Sequence, residues 1–324
     1  MAELRYNPLM NDWVMVASNR QKRPAMDPGQ CPFCPGSGRV PDAYDVLAYD
    51  NDFPVLSLNP GPPTPAPNIS KSAPAYGKCE VILYSSDHRA SLPMLSVGHI
   101  RQLLDLWISR TRELQQDSRI HYIFLFENRG AEVGATMPHP HGQLYAYSYV
   151  PVVLEQELRA SQEYYDREGT CLLCDLNEQE EVSRDRLLVS NDRFLSYTPY
   201  FTEYPFGTFI TPRRHVSSLV EFSAEDLNEL AWMLKAVSAG LDRIYQKPMP
   251  YMMAVHQAPV NVPFREESYH FHIEFYPLLY APSKIKYRAS SEIGAGAACN
   301  PTAVEETAPI FRQAIDAARR EGEW

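Results

Sequence analysis

The sequence predicts an α+β protein built from two similar units, with antiparallel sheets and helices packed on one face. Three observations predict this fold: 44% hydrophobic residues in a chain of 324, two Cys-x-x-Cys pairs, and the same order of motifs after each pair. The length suits about two domains. We expect one unit in residues 1–162 and one in 163–324, with the boundary in the polar stretch 158–170.

The repeated order begins at CPFCPG, residues 31–36, and at CLLCDL, residues 171–176. After each pair come a strand-like run ending in a histidine, a serine, an amphipathic segment, a second strand-like run and two histidines spaced by one residue. The serines are Ser96 and Ser223, and each predicts the start of a helix because apolar residues follow at helical spacing. Ser223 with Asp226 also resembles a capping box.

The first unit is longer than the second because of a proline-rich stretch. Its second cysteine and single histidine are 54 residues apart, against 41 in the second unit. Residues 59–77 contain many prolines, which neither a buried helix nor a central strand accepts. We therefore expect an inserted surface loop there.

Four residues of the first unit form a candidate zinc site. Two thiolates and two imidazoles make a closed tetrahedral set, which is typical of structural zinc. The set consists of Cys31, Cys34, His88 and His139. The alternative is a redox cysteine pair with unrelated histidines, but a redox pair normally opens a helix, whereas Pro32, Pro35 and Gly36 predict a turn.

His141 is the candidate nucleophile. In a strand, His139 and His141 project to the same side, so a zinc-bound His139 leaves His141 as a second imidazole beside it. A neutral imidazole can attack a phosphorus atom when its other nitrogen is held by an acceptor. Gln143, on the same face, could donate to a phosphate oxygen, and Gly134 and Thr136 could bring backbone amides and a hydroxyl to it.

The second unit repeats the ligands but not the nucleophile motif. The equivalent positions predict a second zinc site formed by Cys171, Cys174, His215 and His270. The counterpart of the nucleophile is His272, but HFHIE lacks the glycine and glutamine of HPHGQ. We expect the second unit to be catalytically silent.

Charge and hydropathy exclude several classes of protein. A formal net charge of -10 and a pI near 5.4 argue against nucleic acid as the main partner. Neither a membrane-spanning apolar run nor a secretory signal is present, so we expect a cytoplasmic protein that does not bind membranes. A phosphorylated substrate must then be held by local basic residues.

The motifs resemble those of a known family. FENRGAEVGATMPHPHGQ, with RYNPLMNDWVMVASNRQKRP, CPFCPG, YDNDFP and SSDHRASLP, closely resembles the galactose-1-phosphate uridylyltransferases of the histidine-triad superfamily. The resemblance covers nearly the whole chain in order and is most specific at HPHGQ. It implies two histidine-triad-like units. It also implies a ping-pong transfer of UMP from UDP-glucose to galactose 1-phosphate through a uridylyl-histidine.

The resemblance also implies further site residues. It places the nucleophile on His141, the phosphate-stabilising glutamine on Gln143 and zinc on the first Cys2His2 set. Because the family's pocket is completed by the partner subunit, it implies a homodimer. The substrate-binding positions that it adds are Arg20, Arg23, Asn51, Asp52, Asn128, Lys286 and Glu292.

Two questions stay open at the level of sequence. Some family members hold a second metal with a glutamate and three histidines, and here those positions are Glu157, His256, His272 and Glu274, so one histidine is replaced. This set competes with the second Cys2His2 set. The alternatives for function are a phosphorylase of the same superfamily that transfers AMP, and a non-catalytic zinc-stabilised nucleotide-binding module. The identity of the sugar is not predicted.

Overall fold

The computed structural model describes residues 2–22 and 31–322 of the chain. The strands of this part are β1 (Ala2–Asn7), β2 (Asp12–Ala17), β3 (Leu47–Asp50), β4 (Ser72–Pro74), β5 (Gly77–Leu83), β6 (Tyr122–Arg129), β7 (His141–Tyr147), β8 (Leu187–Ser190), β9 (Phe194–Tyr197), β10 (Thr208–Pro212), β11 (Tyr251–His256), β12 (His272–Pro277), β13 (Leu279–Ala281) and β14 (Lys284–Ile285). The α-helices are α1 (Val97–Leu114), α2 (Val152–Glu168), α3 (Leu172–Ser183), α4 (Ala224–Ile244) and α5 (Val304–Arg320).

One antiparallel sheet runs through both units, in the strand order β3-β5-β7-β6-β11-β12-β10-β9-β8. Strands β3, β5, β7 and β6 correspond in order to β9, β10, β12 and β11. The two halves therefore mirror each other, and β6 pairs with β11 at the junction. The predicted α+β fold with antiparallel sheets and a duplicated plan is confirmed.

The two faces of this sheet have different neighbours. Helices α1 and α4 pack on one face, against alternate strand residues such as Leu125, Leu144 and Val255. Along each strand, the residues that alternate with these, such as Phe124 and Tyr145, point to the opposite face. They belong to a second apolar cluster. We call these the helix face and the open face.

The predicted helix starts are found at both serines. The Ser96 hydroxyl accepts from the His99 amide at 3.1 Å, and the Ser223 hydroxyl accepts from the Asp226 amide at 3.2 Å. Asp226 returns a bond by accepting from the Ser223 amide at 2.9 Å, which completes the capping box. Side-chain oxygens of this kind satisfy amides that have no partner within the helix.

The proline-rich stretch differs in part from the prediction. Residues 59–71 are extended or turn-like and mostly exposed, as expected for a surface loop. Ser72–Pro74 is instead the strand β4, because it pairs with β1 to complete a three-stranded sheet with β2. Gly77, the last residue of the predicted loop, already begins β5.

Helix α2 covers most of the predicted domain boundary at residues 158–170. It connects the units but makes its hydrogen bonds with the second, for example from Arg265 to Asp166 at 2.9 Å.

The helices of the described residues include none with the length and apolar character of a membrane span.

Candidate active site and metal centres

The structure brings together the four side chains of the first candidate zinc site. Cys34 Sγ lies 3.4 Å from His88 Nδ1 and 3.8 Å from His139 Nδ1, and Cys31 Sγ lies 3.5 Å from His139 Nδ1. In tetrahedral zinc sites, bonds of about 2.3 Å to sulfur and about 2.0 Å to nitrogen place sulfur and nitrogen roughly 3.6 Å apart. The four side chains therefore fit a zinc ion.

The outer hydrogen bonds of His139 favour the tautomer that a metal needs. Its Nε2–H donates to the Ser85 carbonyl at 2.8 Å, and the Tyr44 hydroxyl lies 2.9 Å from the same nitrogen. Burial lowers the pKa of His139, so the ring is neutral. Its Nδ1 lone pair then faces the two thiols. Histidines that bind metals usually donate their second nitrogen in this way.

The second unit repeats this arrangement. Cys174 Sγ lies 3.6 Å from His215 Nδ1 and 3.3 Å from His270 Nδ1, and Cys171 Sγ lies 3.9 Å from His270 Nδ1. The Nε2–H of His270 donates to the Pro212 carbonyl at 3.0 Å. The ligand spacing and the outer hydrogen bond both match the first site.

The backbones of the two cysteine pairs differ. Residues 31–36 form turns, with the Cys34 amide donating to the Cys31 carbonyl at 3.3 Å. Cys171 instead caps the start of α3, a position that redox pairs also use. The Cys174 thiol, with the rings of His215 and His270, lowers the pKa of Cys171. Two imidazoles in contact with the pair favour a metal over a redox role.

The competing carboxylate and histidine set is also assembled, on the open face of the second unit. His256 Nδ1 lies 2.9 Å from Glu157 Oε2, and His272 Nε2 lies 3.1 Å from Glu274 Oε1. The Tyr269 hydroxyl also donates to Glu157, at 3.1 Å. Helix α2 supplies Glu157, whose carboxylate lies within 4.8 Å of a ring nitrogen of His272, so this helix reaches the position that corresponds to the nucleophile of the first unit.

His141 is held in a defined tautomer at the start of β7. Its Nδ1–H donates to the backbone carbonyl of His139 at 2.8 Å. The lone pair of the ring therefore lies on Nε2, the nitrogen that a nucleophile would use. His272 makes the same bond to the His270 carbonyl at 3.1 Å, so the duplication extends to this detail.

His141 lies at a cavity formed largely by the segment between β6 and β7. The lining residues are Ala90, Ser91, Glu127, Asn128, Arg129, Gly130, Ala131, Ala135, Thr136, Met137, Pro138, His139, Pro140 and His141. Asn128 and Thr136, two of the predicted substrate-binding residues, are among them. Gly134 is outside this lining but turns the segment with a φ of 79°, a conformation that favours glycine. Gln143 faces the same side of β7 as His141.

The glycine of HPHGQ has a packing reason in this structure. Gly142 lies on the helix face, where the Tyr84 hydroxyl fills the space that a Cβ would need. A Cβ would also approach the Phe126 carbonyl oxygen to 3.0 Å. A larger residue at this position therefore requires Tyr84 to move.

Other predicted substrate residues lie elsewhere. Arg20 is exposed in the short 3-10 helix Ser18–Lys22, and Arg23 lies outside the described residues. The Asn51 side chain accepts from the Phe53 amide at 2.9 Å. Asp52 pairs with the Arg39 guanidinium at 2.6 Å.

Lys286 and Glu292 lie together in the C-terminal part of the chain. The Lys286 ammonium is buried, 3.6 Å from the Glu292 carboxylate and 5.3 Å from the centroid of the Tyr204 ring. Neither residue lines the cavity of His141 within the described part of the chain.

Sequence reasoning misses a buried polar network on the helix face. Arg129 makes two bonds to the Asp242 carboxylate, at 2.6 and 2.8 Å, and its guanidinium lies over the Tyr251 ring. The Tyr251 hydroxyl donates to Glu127, which is 5% exposed. The sequence carries one signal of this network: Glu127 and Arg129 are charged residues at alternate positions of a largely apolar strand.

Comparison with protein families assigns both halves of the chain. Residues 1–151 match the N-terminal domain of galactose-1-phosphate uridyl transferase, and residues 157–286 match its C-terminal domain. The chain is 39% identical to the galactose-1-phosphate uridylyltransferase of Thermotoga maritima, over 97% of this chain and 98% of the relative. It is 32% identical to that of Haemophilus influenzae, over 87% and 85% of the two chains.

Solved structures agree with these matches. A uridylyltransferase structure superposes with a TM-score of 0.90 at 33% identity, over 98% of this chain and 99% of that one. An ADP-glucose phosphorylase from Arabidopsis thaliana, solved with bound ADP-glucose, superposes with a TM-score of 0.75 at 26% identity, over 97% and 98% of the chains. From the identity and the coverage of both halves, this chain belongs to the galactose-1-phosphate uridylyltransferase family.

Proposed function

We propose that this chain is a UDP-glucose:hexose-1-phosphate uridylyltransferase, which moves UMP between UDP-glucose and galactose 1-phosphate in galactose metabolism. The observation that carries the proposal is the tautomer of His141. Its Nδ1–H is held by the His139 carbonyl at 2.8 Å, so the ring carries its lone pair on Nε2, and His141 lies at the cavity. The names of the relatives support the same activity.

In the first half-reaction, His141 Nε2 attacks the α-phosphorus of UDP-glucose. The bond from this phosphorus to the bridging oxygen breaks, and glucose 1-phosphate leaves with the electron pair. The imidazole now carries UMP and a positive charge, while Nδ1–H stays bonded to the carbonyl. That bond stabilises the cationic ring and prevents its rotation.

In the second half-reaction, a phosphate oxygen of galactose 1-phosphate attacks the same phosphorus. The bond from phosphorus to nitrogen breaks, UDP-galactose forms, and His141 returns to its neutral state. We propose that Gln143 donates to a phosphate oxygen in both steps, with help from Asn128, Thr136 and the amides around Gly134. Donors arranged before the reaction stabilise charge at little cost in reorganisation.

We propose that both Cys2His2 sets hold structural zinc. Their ligand spacing and the bonds from His139 Nε2 and His270 Nε2 to carbonyls support this. Zinc in the first set would tie residues 31–34 to the segment that leads into β7 and fix the histidine whose carbonyl orients His141. A closed site of this kind supplies folding energy rather than reactivity.

We also propose a cytoplasmic homodimer. The support for a dimer is the resemblance of the motifs to a family whose pocket is completed by the partner subunit, with Lys286 and Glu292 as the contributors that it implies. Arg20 and Arg23 would supply positive charge near the phosphates. Asn51 and Asp52 would contact the nucleoside.

The second candidate is transfer of AMP, favoured by the likeness to the ADP-glucose phosphorylase. Initial rates separate the two functions. We expect turnover of UDP-glucose with galactose 1-phosphate, with parallel double-reciprocal lines as both substrates are varied. Faster turnover of ADP-glucose with inorganic phosphate would overturn the proposal, and no turnover of either pair would favour a non-catalytic module.

A further inference from the structure

The segment between β6 and β7 is anchored at its start by the second unit. Residue Arg129 ends β6, and its guanidinium makes two bonds to the Asp242 carboxylate of α4, at 2.6 and 2.8 Å. The side chains of Arg129 and Asp242 are only 14% and 26% exposed. A planar guanidinium bound through two nitrogens has little freedom to rotate, so this pair fixes the direction in which the chain leaves the strand.

The next residue is fixed by close contact. Gly130 has a φ of 102°, and a Cβ there would lie 2.8 Å from Pro250 Cβ and 3.3 Å from Pro250 Cα. Asp242 holds this surface as well, because it accepts from the Met249 amide at 2.8 Å. One carboxylate of the second unit thus fixes both Arg129 and the backbone against which Gly130 packs.

We infer that Asp242 is a positioning residue for the transfer reaction: it sets the segment from Gly130 to Thr136 at the correct distance from His141. The inference rests on the proposed function. It assigns the second unit a part in the chemistry, because Asp242 is not among the described residues that line the cavity and acts through Arg129 and Gly130. Misplacing such a segment by about 1 Å can cost roughly 100-fold in rate.

The test is a single-turnover measurement of UMP transfer from UDP-glucose to the full-length protein, in wild type and in Asp242→Asn. The asparagine keeps an oxygen for the Met249 amide but presents an amide group to Arg129 in place of the second oxygen. We expect the rate constant to fall between about tenfold and about 100-fold. The amplitude, and the UDP-glucose concentration at which the rate constant is half-maximal, should change little. A fall in amplitude with an unchanged rate constant means partial unfolding only and overturns the inference.

A matched control and a double variant complete the test. Glu180→Gln breaks another buried ion pair of the second unit, with Arg186 at 2.7 Å, and is expected to lower the melting temperature without changing the rate constant. Arg129→Gln and Asp242→Asn each remove the same ion pair. The double variant is therefore expected to be no slower than the slower of the two single variants. Additive losses, or an equal rate loss in Glu180→Gln, contradict the inference. If wild type itself forms no adduct, the proposed function fails instead.

Discussion

Replacing Glu127 by glutamine is expected to change how the stability of the protein depends on pH. Glu127 lies on the helix face of β6, the strand that pairs with the strand of His141, and accepts from the Tyr251 hydroxyl at 3.3 Å. Burial raises the pKa of its carboxyl from 4.5 to about 7, although the charge of Arg129 acts in the opposite direction. Glutamine has nearly the same shape and can accept the same hydrogen bond, but it does not ionise.

The sign and size of the effect follow from this raised pKa. Between pH 4.5 and about pH 7 the folded protein keeps a proton that the unfolded chain releases. The contribution of Glu127 to stability is therefore complete below pH 4.5 and is lost as the pH rises to about 7. The difference between the two pKa values corresponds to roughly 3 kcal/mol, at about 1.4 kcal/mol per pH unit.

Chemical unfolding of wild type and Glu127→Gln from pH 5 to pH 8 measures this contribution. Relative to wild type, the free energy of unfolding of the variant should rise by up to roughly 3 kcal/mol across the range. The Tyr251 hydroxyl lowers the pKa of Glu127 by donating to its carboxylate. Tyr251→Phe removes this donor, so the decrease in stability should extend to higher pH than in wild type. A difference between wild type and Glu127→Gln that does not vary with pH would refute the reasoning.

Three further predictions concern the site. His141→Ala should abolish transfer while the melting temperature stays near that of wild type, and His141→Gly with added imidazole should recover part of the activity; near wild-type turnover by His141→Ala would disprove the mechanism. Gln143→Ala should slow both half-reactions by about 100-fold or more in rapid-quench experiments, and unchanged rates would remove Gln143 from the mechanism. Elemental analysis should find two zinc ions per chain, falling to one when Cys171 and Cys174 are both changed to serine, with a less stable C-terminal half; an unchanged count would exclude the second site.

Local rules in the sequence anticipate much of the fold. Strand alternation places His141 and Gln143 on one side of β7, and the spacing of Ser223 and Asp226 defines the start of α4. The expectation that His139 shares this strand is wrong, because β7 begins at His141 and His139 lies in a bend before it. The order of the two repeats is enough to pair each cysteine set with its histidines. These features depend on a few neighbouring residues or on the duplication itself, so they can be read without a structure.

Long-range contacts could not be predicted in the same way. Arg129 and Asp242 are 113 residues apart, and nothing local in α4 indicates that this carboxylate meets the strand β6. Glu157 reaches His256 only because α2 crosses the open face. The role of Gly142 depends on Tyr84, which directly follows β5, so the motif alone does not explain it.

The central claim is that His141 carries UMP during the reaction. Mass spectrometry of the intact protein after mixing with UDP-glucose, followed by peptide mapping, tests it most directly. We predict a mass increase of one uridylyl group, located on the peptide that contains His141, lost again when galactose 1-phosphate is added and absent with ADP-glucose. An adenylyl adduct from ADP-glucose, an adduct on another residue, or no adduct would contradict the account.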